Sequence, residues 1–193
     1  MFNYESTFDH TDKFRSNAPQ YPGHNYHLIY PYYLMTKPKR ILEIGTASCG
    51  FAKFLKDNNI GEHIVGADTT KGIVSGHIPS NDTWEHLFDD FYVGDAMEQD
   101  FLDWIDSKNY KFDLIIEDGS HKVEMQTDLI RKSAKLLSDN GVYITEDITT
   151  PQNGAQILDA VPTKYKPYSY CVDLRHSRGR MDDLIVVIDL RKL

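Results

Sequence analysis

Five short apolar runs constrain this chain more than any other feature: RILEIG (40–45), HIVGAD (63–68), FYVGD (91–95), DLIIED (113–118) and GVYITED (141–147). Between them lie stretches with helical spacing, FAKFLKDNN (51–59), MEQDFLDWIDSK (97–108) and VEMQTDLIRKSAKLL (123–137). In the second of these, Met97, Phe101 and Ile105 share a face; in the third, Val123, Ile130, Ala134 and Leu137 do. Buried strands alternating with amphipathic helices specify βαβ units, and so a parallel sheet covered on both faces. The chain then leaves that pattern. After a helical GAQILDAV (154–161), the runs YSYCVDLR (168–175) and DLIVVIDL (183–190) are joined by HSRGRMD, short enough for an antiparallel hairpin. The expected class is α/β: a Rossmann-like, doubly wound sheet, mostly parallel, closing on a C-terminal β-hairpin.

Three local expectations follow from turn chemistry. A helix over Tyr26–Met35 stops at TKPKR. The segment TWEHLFDD (83–90) forms a short helix capped by Thr83 or Asp82. SDNG (138–141) ends the helix after the fourth strand, with Gly141 past its last turn.

With 193 residues, 40% of them hydrophobic, the chain suits one well-buried domain over 1–193, read as a lead-in (1–37) and a core (38–193). A net charge of −8 makes it a poor electrostatic partner for nucleic acid. No apolar run reaches the roughly 18–20 residues of a membrane span. MFNYESTFDHTDKF lacks the basic and apolar regions of a secretory leader. Cys49 and Cys171 are far apart in sequence and read as reduced thiols, in keeping with a cytoplasmic protein.

Four successive strands end in acid: Asp68, Asp95, Asp118 and the pair Glu146-Asp147. Any one of them could simply open a loop or a helix. Four together crowd the C-terminal edge of the sheet, where open α/β folds bind ligands. The first strand-to-helix turn, EIGTASCG (43–50), is glycine-rich. A phosphate loop needs Lys and Ser/Thr after its last glycine, and Phe51-Ala52 stand there instead. A dinucleotide fingerprint needs three glycines, and Gly45 and Gly50 supply two. S-adenosylmethionine needs room near the turn and carboxylates for its ribose hydroxyls, at Asp68, and its adenine amine, at Asp95.

On LEIGTASCG, VGAD, VGDA and the terminal hairpin, residues 38–193 resemble the class I S-adenosylmethionine-dependent methyltransferases. The resemblance implies a seven-stranded sheet whose last strand is antiparallel. It also implies a cofactor-binding set of Glu43, Gly45, Thr46, Ala47, Asp68, Asp95, Ala96 and Asp118.

Strands four and five are expected to be neighbours, which brings Asp118 against Glu146 and Asp147. Carboxylates that close need a shared proton or a cation. Oxygen ligands favour a hard ion, Mg²⁺ first, with Ca²⁺ or Mn²⁺ as alternatives. His121, three residues after Asp118 in DGSH, then has a use: beside a cation-held hydroxyl, an imidazole takes the proton. Glu117, on the opposite strand face from Asp118, is read as structural.

DGSH followed by ED after the fifth strand is similar to the macrocin and mycinamicin sugar O-methyltransferase group. That resemblance implies Asp118, Glu146 and Asp147 as metal ligands, His121 as catalytic base, and a hydroxyl of a sugar or other small molecule as acceptor. TDK (11–13) and HNYHLIYPYY (24–33) are similar to the lead-in of that group, which makes Lys13, His24 and Tyr26 lesser candidates. Members of the group can carry a further N-terminal domain; here residues 1–39 precede strand one. SGHIPSNDTW (75–84) and HSRGRMDD (176–183) are candidate acceptor loops, with Arg178 and Arg180 available to an acidic acceptor. Three other readings compete. A catechol-type O-methyltransferase would place Asn beside the acid after strand five, an NAD-dependent oxidoreductase would ignore S-adenosylmethionine, and an inactive scaffold would bind without turnover.

Overall fold

The computed structural model describes residues 13, 23–47, 49–69, 86–177 and 180–192. Seven strands form one sheet: β1 (Arg40–Ile44), β2 (His63–Asp68), β3 (Asp90–Val93), β4 (Phe112–Glu117), β5 (Leu137–Thr145), β6 (Ser169–Asp173) and β7 (Leu184–Asp189). Their order is β3-β2-β1-β4-β5-β7-β6. The pairs from β3 to β5 are parallel, and β7 runs antiparallel to both β5 and β6. The seven-stranded, hairpin-closed sheet is the expected one, with the last strand inserted beside β5.

Side-chain alternation explains why both faces are covered. Leu42, Val65, Ile115, Tyr143 and Val186 point to one face and pack on α3 (Gln99–Lys108), α4 (Val123–Ser133) and α5 (Pro151–Ala160). Ile41, Ile64, Leu114, Ile144 and Val187 point to the other, against α1 (Tyr30–Leu34) and α2 (Gly50–Asp57). Every residue of β7 is buried, as expected of a strand enclosed on both sides. The order reverses between β1 and β4, and the reversal opens a crevice at the C-terminal strand ends.

Two local expectations are corrected. SDNG does not end a helix: α4 stops at Ser133, one 3₁₀ turn covers Ala134–Leu136, and residues 138–141 lie inside β5. Pairing with β4 jumps from Phe112↔Leu137 to Leu114↔Val142, so the segment forms a bulge. Gly141 is there for space, since a Cβ on it would lie 2.7 Å from the Phe112 carbonyl oxygen. The helix over Tyr26–Met35 is split into a 3₁₀ turn, Tyr26–Leu28, and the short α1. Of TWEHLFDD, Thr83 and Asp82 with the proposed cap lie outside the described residues; 86–89 leads straight into β3 at Asp90.

The bulge also fixes the start of the central strands. Asp113 accepts from Lys39 N at 2.9 Å, Arg40 N at 3.1 Å and Ser138 Oγ at 2.8 Å. Burial alone would raise this carboxyl; the bonds from Ser138, Arg40 and Lys39 outweigh it and hold it below its ordinary range. A depressed folded value stabilises above the unfolded pKa and is lost as pH falls through the folded one. Asp113→Ala is therefore expected to cost about 1–2 kcal/mol at pH 7. Denaturant unfolding should show that gap closing below about pH 4.

Candidate functional site

The C-terminal edge is assembled by backbone bonds that run past the strand ends. Asp118 N donates to Ile44 O at 2.8 Å and Glu146 N to Glu117 O at 2.9 Å, so the ladder continues into both acid-bearing loops. Gly45, at φ +82°, is where a side chain is excluded: a Cβ would stand 2.0 Å from Asp118 O. Gln126 of α4 donates to Glu146 O at 2.8 Å and fixes the loop after β5 from below. Ala47, Cys49, His121 and Asp147 all have positive φ, between 41° and 58°. Non-glycine residues hold that backbone only where surrounding structure imposes it, and such residues cluster at functional sites.

Two features share this edge. One is a cavity of about 330 Å³ lined by Gly45, Ala47, Asp68, Asp95, Ala96, Met97, Asp118 and others. Asp68 Oδ2 accepts from Thr46 N at 2.9 Å and Ala47 N at 3.1 Å, so this acid shapes the glycine turn as well as facing the cavity. Asp95 accepts from Met97 N at 2.9 Å. Of the expected cofactor residues, Glu43 and Thr46 are buried beside the cavity and do not line it. Glu117, read as structural, does line it; Oε1 accepts from Gly119 N at 3.3 Å, and Oε2 has no hydrogen-bond partner among the described residues. Burial pushes this carboxyl up to about 7.

The other feature is the acid cluster. Lys13 Nζ donates to both Asp118 Oδ2 and Glu146 Oε2 and lies 3.9 Å from Glu43 Oε1. Tyr30 OH donates to Glu146 Oε1. Tyr26 OH donates to Asp147 Oδ1 at 2.5 Å and accepts from Asp147 N at 3.0 Å. His24 stacks on Tyr26, with ring centroids 4.6 Å apart. Its Nδ1 is 2.7 Å from Asp183 Oδ1 and its Nε2 is 3.4 Å from Asp147 Oδ1. His121 Nε2 sits 2.9 Å from Asp118 Oδ1, and Nδ1 sits 3.4 Å from Asp147 Oδ2. Its side chain is 44% exposed, so a molecule in solvent can reach it.

Electrostatics follow from that packing. Burial disfavours the Lys13 ammonium, but Asp118, Glu146 and Glu43 outweigh it and hold it protonated. Burial likewise works against ionised Asp118; Lys13 and His121 hold that carboxyl below its ordinary range. Burial pushes Glu146 up to about 8. The bond to Asp118 pushes the His121 imidazole up to about 9.

Among the described residues, two sets of side chains could each hold a cation, and neither contains Glu146. Asp118, His121 and Asp147 bring ligand atoms within 4.8 Å of one another, as do His24, Asp147 and Asp182. The Lys13 ammonium stands where the carboxylates of Asp118 and Glu146 converge, so a cation is already accommodated there. Of the expected metal ligands, Asp118 and Asp147 face His121, and Glu146 faces Lys13 and Tyr30. Arg180 is tied to Asp182 at 2.8 Å; Arg178 and the loop 75–84 lie outside the described residues. Lys13, His24 and Tyr26, lesser candidates in the sequence, stand inside the cluster, together with Tyr30 of HNYHLIYPYY and Asp183 of HSRGRMDD, which were not singled out within those segments. The available signal was the His24, Tyr26, Tyr30 spacing, because a buried tyrosine hydroxyl needs a partner.

No family model and no curated protein matches the chain. Solved structures do. The chain is similar to MycE methyltransferase from the mycinamycin biosynthetic pathway in complex with Mg and SAH, with 20% identity and a TM-score of 0.60. That match covers 95% of this chain and 53% of MycE. A second MycE complex, with Mg, SAH and mycinamycin VI, matches at 21% identity and a TM-score of 0.59, covering 95% and 52%. The fold is that of the class I S-adenosylmethionine-dependent methyltransferases. An O-methyltransferase from Bacillus cereus in complex with SAH shares this methyltransferase fold at 17% identity and a TM-score of 0.56, over 82% of this chain and 77% of that one. The chain spans about half the length of the MycE structures it matches. No helix among the described residues is long and apolar enough to cross a membrane.

Glu146 is fully buried, so its bond from Tyr30 stands in for lost water. Tyr30→Phe is expected to cost about 1–3 kcal/mol in denaturant unfolding. The exposed neighbour Tyr32, changed to Phe, should stay within about 0.5 kcal/mol of the wild type.

Proposed function

We propose that this chain transfers the methyl group of S-adenosylmethionine to a hydroxyl oxygen of a small-molecule acceptor, a sugar or glycoside first among them. The observation that carries this reading is that Asp118 belongs to both features of the edge: it lines the cofactor-sized cavity and bonds to His121 in the acid cluster. Neighbours of the same fold solved with Mg and SAH support it.

Bound in the cavity, S-adenosylmethionine supplies a methyl on a positively charged sulfur, which leaves as the thioether of SAH. The glycine turn at Gly45–Ala47 and the Asp68 and Asp95 carboxylates accept its polar groups, while Met97 and Leu129 exclude water from its apolar surface. A divalent cation, held by Asp118, Glu146 and Asp147, would lower the pKa of the acceptor hydroxyl. His121 is the group at the mouth that takes the hydroxyl proton as the oxygen bonds to the methyl carbon; the Asp118 and Asp147 carboxylates favour its protonated form, and a cation on those carboxylates would favour the neutral imidazole that the role needs. The left-handed backbone at His121 and Asp147 aims both side chains across the same gap, so the acceptor is oriented by rigid groups.

The first test is a calorimetric titration of S-adenosylmethionine into the full chain; absence of binding would remove the methyltransferase reading and leave the fold. With turnover in hand, His121→Ala is expected to lower kcat by about 10²–10⁴ with cofactor affinity unchanged. Unaltered kcat would take the base role from His121. Chelator should stop turnover and added Mg²⁺ restore it; indifference to chelator would take the cation out of the reaction.

A further inference from the structure

The occupant of the acid cluster is part of the chain. Lys13 is 3% exposed and its Nζ bonds to carboxylates from the ends of β4 and β5, beside the Glu43 carboxylate on β1. Its nitrogen also lies 5.7 Å from the Phe51 ring centroid, so its surroundings are built from three strand ends and a helix. Asp118 Oδ2 and Glu146 Oε2 both point at this one ammonium. Mg²⁺ binds carboxylate oxygens at about 2.0–2.1 Å in a near-ideal octahedron. Two like-charged cations cannot both sit between the same two oxygens in a buried site. The pair is therefore given either to Lys13 or to a metal.

We propose that Lys13 and a divalent cation compete for the Asp118–Glu146 carboxylate pair, so that loading the cation expels the ammonium from the cluster. Lys13 then sets how tightly the site holds metal, and its exposure reports occupancy. The neutralising charge is supplied from within the chain when metal is scarce, which keeps the buried acids from repelling one another. This inference rests on the metal reading above.

The test uses the full chain and Mg²⁺ alone. Amine acetylation read by mass spectrometry should label Lys13 slowly in chelator and at least tenfold faster in saturating Mg²⁺, with exposed Lys39 labelled equally in both. Calorimetry should show Lys13→Met binding Mg²⁺ at least tenfold tighter than the wild type. Mg²⁺ binding to the wild type with Lys13 still protected would overturn the competition and leave the metal reading standing. Equal affinity in Lys13→Met would do the same. Failure of both proteins to bind Mg²⁺ would remove the metal reading and the competition together. The labelling experiment needs no variant, so it stands even where Lys13→Met does not fold.

Discussion

Four carboxylates at the ends of three adjacent strands are the constraint around which the rest of this edge is organised. Glu43, Asp118, Glu146 and Asp147 are brought together by parallel pairing of β1, β4 and β5; Glu43, Glu146 and Asp147 are buried, and the Asp118 side chain is 17% exposed where it lines the cavity. Three of these acids are hydrogen-bonded by side chains from beyond the strands, and Glu43 has the Lys13 ammonium 3.9 Å away. Lys13 reaches Asp118 and Glu146, Tyr30 reaches Glu146, Tyr26 reaches Asp147, and His121 bridges Asp118 and Asp147. The aromatic residues before β1 thus do two tasks: their rings cover the second core and their hydroxyls satisfy the acids. A buried polar network of this kind is stabilising only while every member is satisfied.

Much of this was legible in order and little of it in partnership. The strand-acid-helix rhythm marked the sheet, its edge and the position of DGSH and ED, because buried strands and helix starts leave periodic signals. The bulge at 138–141 was not legible: Ser, Asp, Asn and Gly serve a helix end and a strand bulge equally well, and only the jump in pairing against Phe112 separates them. Glu117, assigned by alternation to the face away from Asp118, is buried, accepts from Gly119 N and borders the cavity, a placement that alternation along the strand does not show. Lys13, more than a hundred residues from Asp118, gave no local sign of its partner. Long-range ion pairs carry no periodicity, so they enter only through the fold.

The left-handed residues add a second kind of order. Lys37, Asn59 and Asn109 take positive φ just after helices, an ordinary way to end one. Asp147 takes it two residues after β5 and His121 in the loop between β4 and α4, both inside the cluster. Their strain is offset by bonds to Asp118 and Tyr26.

Gly45 links the two halves of the edge. With no Cβ, the turn after β1 rests directly on the peptide that carries Asp118 and Gly119. The cavity and the acid cluster therefore share a wall one backbone thick, with no side chain to act as a cushion. A shift that opens the cavity must be transmitted to the Asp118 carboxylate on the far side. The fold thus sets the spacing between the cavity and the acid cluster by main chain alone, and any side chain at position 45 would wedge the two apart.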